Sequence, residues 1–127
     1  MILPVSAQKW LNKSLYPFEN HYIQLSSGKM HYVDQGKGDV ILFVHGSPTW
    51  SFLYRDFISS MSKKYRCIAI DHIGFGLSEK PEDFDGKPQS HSKNLTSFIK
   101  KLDLKEITLV VHDFGGPIGI GLSLIHI

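Results

Sequence analysis

The 127-residue chain holds one cysteine, Cys67. No disulfide can close within it, and a lone thiol inside an apolar stretch is expected to pack as a small core residue. No apolar run reaches the length of a membrane span, and Met1 to Trp10 has neither a basic start nor an apolar core of secretory length. A cytoplasmic protein is the expectation. The seven histidines are dispersed, with no His-x-x-x-His or Cys-x-x-Cys pair, which argues against a metal site. No strand-like segment leads into Gly-x-Gly-x-x-Gly, which disfavours a dinucleotide-binding module, and the absence of Gly-x-Ser-x-Gly disfavours an ordinary serine esterase. Excess charge is lacking too: 14 Lys and Arg stand against 12 Asp and Glu, for a net charge of +2. With the lysines scattered, neither a nucleic-acid footprint nor a membrane-surface binder is expected.

The chain does have the strand, loop, helix rhythm of a parallel sheet. His21 to Leu25 and Met30 to Asp34 read as a hairpin across Ser26-Ser27-Gly28. Val40 to Val44 is an unbroken apolar run, the pattern of a strand buried on both faces, and Gly46 and Pro48 end it. Phe52, Leu53, Phe57, Ile58 and Met61 recur at helical spacing, predicting a helix from Ser51 to Lys64. Cys67 to Ile70 is a fourth strand. Leu95, Phe98, Ile99 and Leu102 mark a second helix, with Ser90 or Ser92 as its cap, and Glu106 to Val111 is a fifth strand.

That fifth strand stops at His112-Asp113-Phe114-Gly115-Gly116. A carboxylate between a buried strand and a glycine pair suits a sharp strand-to-helix turn that lifts one side chain clear of the sheet. Asp capping the next helix, with Gly easing the turn, is the purely structural alternative. Two further segments bear on the choice. His45-Gly46-Ser47-Pro48-Thr49 follows the third strand, and Asp71-His72-Ile73-Gly74-Phe75-Gly76-Leu77-Ser78-Glu79-Lys80-Pro81 follows the fourth.

In this order the three segments resemble the haloalkane dehalogenase group of the α/β-hydrolases, over about residues 16 to 121. The pattern is His-Gly-x-Pro-Thr, then Asp-x-x-Gly-x-Gly-x-Ser-x-Lys-Pro, then Val-x-Asp-aromatic-Gly-Gly. The resemblance implies an α/β fold, a mostly parallel sheet with helices on both faces. It implies Asp113 as nucleophile, backbone N–H groups of Ser47 and Phe114 as an oxyanion hole, and Ser47, Trp50 and Phe114 around the substrate and leaving group. No cofactor or metal is implied, and the partner is a small organic substrate. A carboxylate nucleophile suits displacement at a saturated carbon, giving an alkyl-enzyme ester that water cleaves. Each oxyanion donor is worth about 3 to 4 kcal/mol of barrier.

Two positions depart from the group. Phe114 stands where a Trp usually offers an indole N–H to the halide, and Ser47 where Asn often supplies a second donor. Epoxide hydrolysis and β-lactone cleavage therefore stay open as alternatives. His45 and His112 are read as packed or bonded to backbone rather than as the base. In the group's chain order the acid and the base both follow the nucleophile, and the fold normally has eight strands where five are legible here. The chain is thus expected to be a partial α/β-hydrolase domain over 1–127, without the last strands and the cap, with strand 5 an open apolar edge. By itself it is expected to be an inactive, non-catalytic fragment. Leu122 to Ile127 matches a translation of the transposon adapter sequence CTGTCTCTTATACACATC and is expected to be adapter-derived, although Ile118, Leu122 and Ile125 also suit a helix.

Overall fold

A computed structural model describes residues 10–126, with side chains through Gly121. Five strands form one sheet: β1 (His21–Leu25), β2 (Gly28–Gln35), β3 (Val40–Val44), β4 (Arg66–Ile70) and β5 (Thr108–Val111). Their order is β1-β2-β4-β3-β5. β3 pairs in parallel with both β4 and β5, while β2 runs antiparallel to β4 and to β1. Leu25 pairs with Gly28 across a two-residue turn, so the hairpin is tighter than the one expected.

Alternation along the central strands explains why they lack polar residues beyond Arg66, the first of β4. On β3 and β4, Leu42, Val44, Ile68 and Ile70 face one layer, where they meet Leu95, Phe98 and Ile118. Ile41, Phe43, Cys67 and Ala69 face the other, against Tyr16, Tyr54 and Ile58. Every residue of both strands except the first is buried, and each large aliphatic side chain so placed contributes about 1.5 to 3 kcal/mol. Cys67 is a core residue, as expected.

The helices follow the same division. α1 (Arg55–Met61) supplies Ile58 to one layer; α2 (Pro88–Lys101) and α3 (Gly115–His126) supply Leu95, Phe98 and Ile118 to the other. Several boundaries differ from expectation, β2 (Gly28–Gln35) and β4 (Arg66–Ile70) being slightly longer than read. The helix expected over 51–64 splits into a 3-10 turn, Ser51–Tyr54, and the shorter α1; the Ser51 N–H is held by the Asp71 carboxylate at 2.7 Å, which fixes the first turn from outside the helix. α2 begins at Pro88, without a side-chain cap. Proline suits the first helical position because its missing N–H would be unpaired there anyway. Ser92 instead donates to the Ile118 carbonyl and ties α2 to α3. β5 starts two residues later than expected, after Glu106 turns through a left-handed φ of 53°.

β5 lies at the sheet edge with Thr108 and Val111 exposed. α3 spans the alternative helical reading of its segment. The origin assigned to Leu122–Ile127 turns on side chains outside the described residues. Among the described residues no helix is long and apolar enough to cross a membrane, and no group of three His, Cys, Asp or Glu could hold a metal ion.

Candidate active site

The C-terminal ends of the parallel strands β3, β4 and β5 lie on one side of the sheet, the position where open α/β folds hold ligands. At β5 the chain turns sharply. Asp113 takes a left-handed φ of 53°, a conformation open to Asp and Asn more readily than to most residues. Gly115 N–H then donates to the His112 carbonyl and Gly116 N–H to that of Asp113, both at 2.9 Å, and α3 begins. Gly115 passes so close to β3 that a Cβ there would sit 2.5 Å from the Val44 carbonyl oxygen. Only glycine lets the helix start at that distance.

The loop after β3 meets the turn. A Cβ on Gly46 would lie 2.7 Å from Asp113 Cβ and 2.8 Å from its Oδ2, so the carboxylate rests directly over the Gly46 backbone. The Gly46 carbonyl in turn accepts from His45 Nδ1–H at 2.7 Å, from Thr49 N–H at 3.1 Å and from Thr49 Oγ1 at 2.8 Å. The peptide preceding Ser47 is thereby held in one orientation. Ser47 and Asp113 are both exposed, and Phe114 is half-buried.

Ser47 and Phe114 share a cleft of about 510 Å³, which Ile73, Phe75, Lys80, Phe84 and His91 help to line. Asp113 is not in that lining; its neighbours in sequence and space, Phe114 and the Gly46-Ser47 segment, bring it to the rim. Trp50, expected around the substrate, lies elsewhere. Its ring stacks on Phe52 at 5.5 Å and leans on Tyr16 at 5.1 Å, within the α1 layer. Another concavity, about 470 Å³ between Leu11 and Asn20, contains none of the strand-end residues.

Histidines line the site from behind. His45 is fully buried and bonded to backbone, as expected. His112 is not packed: its side chain is exposed, and it is its main chain that is engaged, the N–H with the Val44 carbonyl at 3.3 Å and the carbonyl with the Gly115 N–H at 2.9 Å. His72 and His91, which sequence reasoning did not single out, continue the row, with ring centroids 4.3 Å from His45 to His72 and 4.8 Å from His72 to His91. Burial lowers the pKa of all three: His45 falls through burial, His72 is pushed well below the usual imidazole value by burial and then by its two neighbours, and His91 falls to about 4 through burial and then His45. Three neutral imidazoles therefore stand in line at neutral pH.

The loop after β4 is pinned by Asp71. Its fully buried carboxylate accepts from Ser51 N–H, from Leu77 N–H at 3.0 Å and from His31 Nδ1 at 2.9 Å. Burial pushes its pKa up, but the His31 contact and the two backbone donors outweigh it and hold the carboxyl below its usual value. Ser78 Oγ, bonded to the Asp71 carbonyl at 2.6 Å, closes the loop. No periodicity marks this network; its only sequence signal is an Asp ending an apolar strand before a glycine-rich turn.

Comparison with known proteins agrees with this fold. The family model described as alpha/beta hydrolase fold matches residues 39–126. The chain is 44% identical over 110 residues to haloalkane dehalogenase 2 of Mycobacterium tuberculosis, covering 87% of the chain and 38% of that protein. It is 43% identical over 113 residues to the cis-3-alkyl-4-alkyloxetan-2-one decarboxylase of Shewanella oneidensis, covering 87% and 36%. Among solved structures, the tetrameric haloalkane dehalogenase DpaA of Paraglaciecola agarilytica superposes with a TM-score of 0.88 at 34% identity, over 98% of the chain and 44% of that structure. The epoxide hydrolase VrEH1 of Vigna radiata gives 0.79 at 30% identity, over 87% and 36%. The chain thus spans well under half the length of these relatives.

Proposed function

Because the chain belongs to the alpha/beta hydrolase fold family, we propose that it carries the nucleophile half of a hydrolase acting on a small organic substrate through an alkyl-enzyme ester on Asp113. The observation that carries the reading is the left-handed turn that sets an exposed carboxylate over Gly46, at the rim of a cleft beside the helix start. An Asp113 carboxylate oxygen attacks a saturated carbon; the new C–O bond forms as the bond to the leaving group breaks, and that group departs with the electron pair. Water then adds to the ester carbonyl, placing negative charge on a carboxyl oxygen where the N–H groups of Ser47 and Phe114 serve as donors. Collapse expels the alcohol and restores Asp113. His45 is unsuited as base, since its Nδ1 proton is engaged with Gly46 and its Nε2 accepts from the His72 backbone.

The leaving group separates two readings. Relatives named as haloalkane dehalogenases favour a halide, which the Ser47 hydroxyl can meet as donor. The Phe114 side chain has no N–H to offer a halide at the same cleft, and this favours a ring-opening substrate, an epoxide or a β-lactone, whose oxygen leaves without departing from the carbon skeleton. Mass spectrometry of the peptide bearing Asp113, after brief exposure of the full chain to 1-bromobutane, phenyloxirane or a β-lactone, tests both. An adduct on Asp113 is expected with one class. Turnover without any adduct, or turnover by an Asp113→Ala variant, would remove the covalent mechanism.

A further inference from the structure

Thr49 bonds to the Gly46 carbonyl twice. Its N–H donates at 3.1 Å and closes the four-residue turn that begins at Gly46, while its Oγ1–H donates at 2.8 Å to the same oxygen. His45 Nδ1 lies 2.7 Å from that oxygen as well. A carbonyl can only accept, so Nδ1 holds the His45 proton, in keeping with the His72 N–H that ends on His45 Nε2 at 2.9 Å. One oxygen with two lone pairs thus collects three donors. The turn needs only the Thr49 N–H, which leaves the hydroxyl surplus to its closure.

The peptide that carries this oxygen carries the Ser47 N–H at its other end. Gly46 is buried and Ser47 exposed, and among the described residues no acceptor takes the Ser47 N–H. Bonds accepted at a peptide oxygen draw electron density from its nitrogen and strengthen the N–H as a donor, by about 10 to 30% per bond. We propose that Thr49 is a positioning residue of the oxyanion site: its hydroxyl, together with His45, polarises the Gly46–Ser47 peptide and so strengthens the Ser47 N–H that meets the charge on the Asp113 ester. The peptide is well placed for this, because a Cβ on Gly46 would lie 2.7 Å from Asp113 Cβ and 2.8 Å from its Oδ2. Thr49 does not line the cleft; it acts through Ser47, which does.

The use of this donor rests on the proposed reaction, whereas its polarisation does not. In the full chain labelled with 15N and 13C, solvent exchange of the Ser47 amide is base-catalysed removal of its proton, so the rate follows the acidity of the N–H. Thr49→Val keeps the side-chain shape and the turn N–H but removes the hydroxyl. It is expected to slow Ser47 exchange about threefold and to move the Gly46 carbonyl carbon to lower frequency; Thr49→Ser is expected to restore both. Thr49→Ala, with no bulk to misfit, should give the same slowing. A hydroxyl that merely held the loop would give the opposite sign, since a loosened loop exchanges faster. Exchange that is unchanged or faster without the hydroxyl, or that Thr49→Ser fails to restore, overturns the proposal. On the butyl ester of Asp113 formed from 1-bromobutane, hydroxide in mild alkali adds to the ester carbonyl carbon, the acyl C–O bond breaks and butan-1-ol leaves. Thr49→Val is expected to slow this cleavage about threefold without changing ester formation. Equal ester lifetimes in the two proteins overturn the role at the site. Failure to form any ester on Asp113 would strike the reaction instead, and Ser47 exchange would still decide for or against Thr49.

Discussion

His31 and Asp71 meet at 2.9 Å with both side chains wholly buried, and the pair joins β2 to the loop that follows β4. The same carboxylate holds Ser51 and Leu77. Replacing it with Asp71→Asn would point an amide N–H₂ at one or more of these donors. Removing one member of a buried, hydrogen-bonded pair costs about 3 to 5 kcal/mol. An unfolding free energy from urea titration of Asp71→Asn within about 0.5 kcal/mol of the parent protein would show the network to be dispensable.

Stability is expected to fall as the solution is acidified from neutrality. An imidazole whose pKa is lowered by folding takes up its proton more readily in the unfolded chain, so its contribution is complete above the ordinary value of 6.5 and lost below it. For His91 the loss runs from 6.5 down to about 4; His45 and His72 add to it in the same direction. Asp71, whose pKa is lowered, adds a further loss as pH drops through the carboxylate range. Melting temperature measured from pH 7.5 to 4 should decline throughout, and a plateau between 6.5 and 5 would contradict the neutral histidine row.

Asp113→Asn keeps a residue that tolerates the left-handed turn while removing the charge. Activity of a complete protein that also supplies the acid and the base should fall at least about a thousandfold, in the range seen when a nucleophile is lost. Stability should change by no more than about 0.5 kcal/mol, as for exposed sites generally. A parallel loss of folding, read by circular dichroism, would assign the residue to structure instead.

Gly46→Ala tests the approach of the two loops. The added methyl meets Asp113 Cβ, its Oδ2 and the His112 carbonyl, all within 2.8 Å, and the backbone must shift. Destabilisation of about 1 to 3 kcal/mol is expected from overpacking, and displacement of the carboxylate should cost about a hundredfold in activity. Normal turnover would mean that Asp113 acts from another position.

Phe114→Trp supplies the missing indole N–H at the cleft. With a halide as leaving group, turnover of 1-bromobutane should rise several-fold while the melting temperature barely moves. Unchanged bromide release beside undiminished epoxide opening would favour the ring-opening reading.

What the sequence disclosed and what it hid divide along physical lines. Apolar runs such as Val40–Val44 are visible because burial on both faces forbids polar residues, and the Asp113 turn is visible because glycines and a carboxylate in that order have few uses. Helix ends were read less well: Ser90 and Ser92 looked like caps, yet Pro88 opens α2 and Ser92 reaches across to α3. Trp50 follows the His-Gly-Ser-Pro loop by only two residues, but its ring turns into the α1 layer, a choice made by Tyr16, from a distant part of the chain, together with its near neighbour Phe52. The His45, His72 and His91 row was hidden for the same reason. Its members are 27 and 19 positions apart, and only the folded sheet brings them together.

The backbone at residue 113 owes much of its shape to its neighbours: Gly115 closing on Val44, the hydrogen bonds from Gly115 and Gly116, and the glycine floor at position 46. The reagent it displays is accordingly interchangeable. On the proposed mechanism a carboxylate held there suits alkyl carbon where a hydroxyl would suit carbonyl carbon, and the turn that presents either would remain in place.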